Sequence, residues 1–144
     1  MTAANVMQVP GLNTLGTSLA RIDFARGGLN PPHTHPRGTK IIFVLKGEFY
    51  VGFITTSNVL VSKYIKMGEI FVFPRGLVHF QMNYGKVPAA VISAFDSQLP
   101  GVQVIANSLF TATPPVSKDV LAKAFMISIK EVEEIKAKLA PNKS

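Results

Sequence analysis

The chain has 144 residues, enough for one domain with a single buried core. Hydrophobic residues make up 47% and charged residues 16%, with 11 Gly and 10 Pro, a mixture that fits a compact, turn-rich fold and excludes a disordered chain. The net charge of +7 comes from Lys and Arg scattered between Arg21 and Lys143 without a basic run, so nucleic acid is not an expected partner, and no apolar run reaches the roughly 20 residues of a membrane span.

From Ser18 to Ile105, short apolar or alternating runs are broken by turn residues, the pattern of a sandwich or barrel. SLARIDF, 18–24, alternates, with Ala20, Ile22 and Phe24 on one face and Arg21 and Asp23 on the other. KIIFVL, 40–45, is nearly continuous in apolar residues and is expected to be covered on both faces. Lys46 and Gly47 then turn the chain. FYVGFI (49–54), LVSKYI (60–65), EIFVF (69–73), HFQMNY (79–84) and AAVISAF (89–95) follow as strands, and VQVIA, 102–106, is expected as the last one. Phe43, Phe71, Phe73 and Phe80 are expected to shape the barrel interior and keep bulk water out.

TATPP, 111–115, ends this pattern, because paired prolines suit neither a helix interior nor a central strand. The expected organisation is therefore a β domain over 1–115 and a C-terminal helical arm of the same domain over 116–144. Ser117 caps a short helix carrying Val120, Leu121, Ala124 and Phe125, and Ser128 with Glu131 forms a capping box for a second. In the second helix Val132, Ile135 and Leu139 make one apolar stripe, Glu134 and Lys138 pair four residues apart, and Pro141 ends it. So short a pair needs a surface for its stripe, on its own barrel or on a neighbouring subunit.

The chemistry centres on PPHTHPRGTK, 31–40. On an extended strand residues i and i+2 point the same way, so His33 and His35 share a face and suit one metal ion. His79 opens HFQMNY, where His79, Gln81 and Asn83 lie on one face, and an antiparallel neighbour brings its ring to the same ion. With no Cys in the chain, any metal must use His, carboxylate or water.

GGLNPPHTHPRGTKIIFVLKG, 27–47, resembles the first cupin motif of plant germins and germin-like proteins, Gly-x5-His-x-His-x4-Glu-x6-Gly. Gly27, His33, His35 and Gly47 match, and Lys40 stands where the family has Glu. GEIFVFPRGLVHFQMN, 68–83, meets the second motif in full at Gly68, Pro74, Gly76, His79 and Asn83. VPGLNTLGTSLARIDFARGGLNPPHTHPR and SLFTATPPVSKDVLAKAF are also similar to germin-like sequences, so the likeness spans nearly the whole chain.

The resemblance implies an all-β double-stranded β-helix, the cupin jelly-roll barrel, with a short C-terminal helical pair. It implies a manganese ion held by three His and one Glu, oxalate oxidase or superoxide dismutase type activity on a small anionic substrate, and Asn83 near the metal as a substrate-orienting residue or as a barrel hydrogen-bonding group. It further implies an extracellular place in the apoplast or cell wall and a homo-oligomer built as a trimer of dimers. Separately, the scattered basic charge suits acidic cell-wall polymers as a partner.

Two departures qualify these expectations. The opening MTAANVMQVPGLN carries neither a basic leading segment nor an apolar signal core, the family's disulfide-holding front segment is not in this sequence, and Asn142-Lys143-Ser144 is the only Asn-x-Ser. Lys40 removes the anionic ligand and sets an ammonium beside a divalent ion, so it must deprotonate or swing away. His33, His35 and His79 then remain as a three-imidazole set that suits zinc, copper or iron better than manganese. The alternative to an enzyme is a catalytically inactive binding or assembly protein on a cupin scaffold.

Overall fold

A computed structural model describes residues 1–140, in two compact units, one over residues 1–102 and the other from residue 103 onward. The first unit contains nine strands: β1 (Thr2–Ala4), β2 (Ser18–Phe24), β3 (Leu29–Thr34), β4 (Lys40–Lys46), β5 (Glu48–Ile54), β6 (Leu60–Lys66), β7 (Ile70–Phe73), β8 (His79–Asn83) and β9 (Ala89–Phe95). They form two antiparallel sheets, one in the order β1-β2-β9-β4-β7 and the other containing β3-β8-β5-β6. This is the jelly roll that the resemblance implied.

The inner faces follow from alternation. In β2, Ser18, Ala20 and Phe24 are buried while Leu19, Arg21 and Asp23 are exposed, and β2 lies against β9 in unbroken register from Ser18 opposite Phe95 to Phe24 opposite Ala89. The core between the sheets consists of Phe24, Ile42, Val44, Phe49, Val51, Ile65, Phe73, Ala89 and Val91. Burying each of the larger of these side chains is worth about 1.5–3 kcal/mol against leaving it in water. Gly47 makes the turn between β4 and β5 at φ +86°, and a Cβ there would fall 2.5 Å from the Cβ of Ala89, so backbone conformation and packing both require glycine.

Two strand expectations are corrected. β4 is covered on one face only: Lys40, Ile42 and Val44 point inward, whereas Ile41 and Phe43 are 44% and 45% exposed. An antiparallel strand needs only one packed face, so its continuous apolar run marked an apolar outer surface rather than a second covering layer. Phe43 is thus an outer-face residue, while Phe73 lies in the core, and Phe71 packs against it. VQVIA is the second correction, since only Gln103–Val104 is extended (β10), and Ile105–Phe110 forms a helix, α1.

In the second unit α1 is joined by α2 (Lys118–Phe125) and α3 (Ile129–Leu139). The stripe of α3 finds its surface inside this unit: Val132 is buried with Phe110 of α1 and Leu121 of α2, and Ile135, Leu139, Val116 and Ile127 pack around them. Ser117 accepts a hydrogen bond from the Val120 N–H, and the capping box of Ser128 and Glu131 is complete. Glu134 pairs with Lys130 at 4.0 Å, one turn before it, rather than with Lys138, and Lys118 pairs with Glu133. Pro141 and the Asn142-Lys143-Ser144 sequon lie outside the described residues.

Candidate metal centre

β3 pairs with β8, with Leu29 opposite Met82, Asn30 opposite Gln81 and His33 opposite His79, and the register shifts between Asn30 and His33. Pro31 and Pro32 occupy the shift, where their missing N–H groups leave the ladder nothing to bond. His33 and His79 are thereby placed across from one another, and His35 follows just past the end of β3. All three are buried. Ring centroids lie 4.1 Å apart for His33 and His79, 5.0 Å for His33 and His35, and 5.2 Å for His35 and His79.

Each ring is fixed through Nδ1 by a backbone carbonyl, which can only accept. His33 Nδ1 donates to Pro31 O at 2.7 Å, His35 Nδ1 to Gly101 O at 2.5 Å, and His79 Nδ1 to Leu77 O at 2.9 Å. The proton is held on Nδ1, and each Nε2 keeps its lone pair. All three Nε2 atoms are buried without a partner, and each residue offers a ring nitrogen within 4.8 Å of the others. Burial lowers the pKa values of His33 and His35 to about 4 and that of His79 to about 2, so the rings are neutral at pH 7. An orphaned buried acceptor costs about 1–3 kcal/mol, and three converging ones fit a divalent cation.

Lys40 is the first residue of β4, opposite Phe73 of β7 and Phe95 of β9. Its side chain turns inward and is 1% exposed. The Nζ lies 5.5 Å from the centre of the Phe73 ring and 6.0 Å from that of Phe95, and among the described residues no carboxylate pairs with it. The same two rings hold the histidines: Phe73 stacks on His79 at 4.5 Å and Phe95 meets His35 edge-on at 4.8 Å. Burial lowers the Lys40 pKa to about 7, and its charge adds to the downward shift of all three histidines. Swinging away is therefore not what Lys40 does. It remains beside the imidazoles.

A cavity of about 180 Å³ opens onto this cup, lined by His33, His35, Lys40, Asn30, Ser18 and Phe95 among others, with no Asp or Glu in its wall. The donor set thus fits a metal in its three imidazoles, but supplies none of the anionic oxygen that manganese favours. Glu48 is an exposed residue at the start of β5.

Asn83, expected near a substrate, has all its polar atoms engaged elsewhere. Its Nδ2 donates to Ala25 O at 2.9 Å and Val87 O at 2.8 Å, and its Oδ1 accepts from the Gly85 N–H at 3.0 Å. This geometry supports the hydrogen-bonding alternative. Sequence reasoning gave no role to the pair formed by Asn30 and Gln81, in which Asn30 Nδ2 donates to Gln81 Oε1 at 3.0 Å while Gln81 Nε2 is buried without an acceptor. The available signal was the alternation that sets Gln81 on the face of His79.

The family model described as Cupin matches residues 1–133. Nectarin-1 of Nicotiana plumbaginifolia is 67% identical over 143 residues, covering 99% of this chain and 62% of that protein. Germin-like protein 5-1 of Oryza sativa subsp. japonica is 63% identical over 143 residues, with 99% of this chain and 65% of that protein covered. An oxalate oxidase structure in complex with the substrate analogue glycolate superposes with a TM-score of 0.94 at 46% identity, over 96% of this chain and 71% of that one. The chain belongs to the cupin family, among its germin-like proteins. It spans somewhat less than two thirds of the length of its nectarin relatives.

Proposed function

We propose that this chain is a metal-binding germin-like protein of the extracellular cell-wall type, with His33, His35 and His79 holding one divalent ion. The observation that carries this reading is the convergence of three buried, unpaired Nε2 atoms whose tautomer the backbone has already fixed. Manganese is the ion by likeness, and zinc, iron and copper are the ions that the imidazole set favours. The bound ion supplies an electrophilic or redox centre for a small anion, in oxidoreductase chemistry of the oxalate oxidase or superoxide dismutase type.

The chain's own residues do the rest. The histidines hold the ion, Phe73 and Phe95 keep water from the inner wall of the cup, and Lys40 attracts the anion while weakening manganese retention by its charge. Asn83 ties the turn after β8 to the loop after β2. The test is metal content per chain in protein purified without chelator. Near-stoichiometric metal that is lost in His79→Ala supports the reading; a folded, metal-free protein overturns it.

A second reading is an inactive binding and assembly protein, favoured by Lys40 in the acid's position and by the net charge of +7 facing acidic wall polymers. Its homo-oligomeric form, a trimer of dimers by likeness, is supported by an apolar patch on the outer sheet face. There Ile41 lies opposite Val72 and Phe43 opposite Ile70, all four exposed.

A further inference from the structure

The cup carries two kinds of unmet polar demand at once. Three Nε2 lone pairs lack a donor, which calls for a cation. Beside them, donors lack an acceptor. Gln81 Nε2, two residues along the inner face from His79, is buried and unpaired. The Lys40 Nζ, inside the same cup, lies over the rings of Phe73 and Phe95 with no carboxylate paired to it among the described residues. In either protonation state Lys40 brings donors and no negative charge. With no Asp or Glu in the cavity wall, a divalent ion entering here meets nothing that neutralises it.

We propose that this site takes up a metal ion and a small oxyanion as a coupled pair, with Lys40 as the anion's hydrogen-bond donor. The inference rests on the metal-binding reading above and goes beyond it. In cups with a carboxylate at position 40 the protein itself supplies the compensating charge; here it must come from solution. The anion's class follows from the space and the donors. A cavity of about 180 Å³ admits an ion of a few heavy atoms such as formate or bicarbonate, and two or more oxygens let one face the metal side while another accepts from Lys40. Coupling of this kind is reciprocal, so the anion raises metal affinity by the factor by which the metal raises anion affinity.

The experiment is calorimetric titration of Zn²⁺ into the metal-free full chain at pH 7.5 and constant ionic strength set with sodium perchlorate, with formate, with chloride, or with neither. Formate is expected to tighten Zn²⁺ binding at least tenfold, and chloride, a single atom with no second acceptor to offer Lys40, by much less. In Lys40→Glu the formate effect should disappear, because the side chain now supplies the charge, and in Lys40→Met it should fall severalfold. Zn²⁺ binding that ignores formate, an equal effect of chloride, or a formate effect unchanged in Lys40→Glu overturns the coupling while leaving the metal site standing. No Zn²⁺ binding under any condition overturns both.

Discussion

Position 40 decides how this site differs from its relatives' pattern. Lys40→Glu restores the family's oxygen ligand, so manganese content should rise several-fold and oxidase or dismutase activity with it; metal analysis and activity assays on the same preparation check both. Lys40 also leaves a signature in stability. Its pKa is about 7 in the folded chain against an ordinary 10.5, so between these values the unfolded chain binds more protons and stability rises with pH. Each pH unit in that window is worth up to about 1.4 kcal/mol. Urea midpoints measured from pH 7 to pH 10 should climb in the native chain and stay flatter in Lys40→Met, which should also be the more stable protein at pH 7. The histidines act in the same direction at lower pH, where stability is lost as pH falls from the ordinary 6.5 towards about 4.

At the scale of elements, the caps give a clean test. Ser128→Ala removes the acceptor of the Glu131 N–H and half of a capping box, and should cost about 1 kcal/mol in the second unit, read as a shift in its denaturation midpoint. The alternating strands were legible because one face of each meets a core. β2 and β8 show it residue by residue, but alternation only set His33 with His35 and His79 with Gln81 on their own strands; that the two segments meet was implied by the family resemblance. What alternation could not tell was whether the apolar outer residues of KIIFVL were covered, since Ile41 and Phe43 read the same in either setting. Nor could it distinguish β from α in VQVIA, where Phe110, a few residues beyond the apparent strand, supplies the contact with Leu121 and Val132 that rewards a helix. The inward course of Lys40 was equally hidden, because a lysine on a strand's inner face reads as a contradiction until Phe73 and Phe95 are seen to hold it.

For the whole molecule, the outer patch of Ile41, Phe43, Ile70 and Val72 bears on assembly. Phe43→Lys places a charge at its centre without touching the core, so it should lower the mass in solution, measured by light scattering, and leave the thermal midpoint of the barrel nearly unchanged. An unchanged mass would remove this face from the subunit contacts. The fold's own contribution to the site is rigidity: the two sheets bring β3, β4, β8 and β9 to one cup, and the core beneath them fixes their spacing.

The bonds that aim the three imidazoles end on main-chain carbonyls, those of Pro31, Leu77 and Gly101. No side-chain replacement at these positions deletes an acceptor, so mutational tolerance around the cup should track backbone shape and not side-chain chemistry. Leu77 should accept many substitutions with metal retention intact. Gly101, held at φ +72° with the Arg37 guanidinium against it, should accept almost none, because any side chain there strains the backbone that carries the carbonyl for His35. The weakest point of the cup is then a glycine that touches no metal at all.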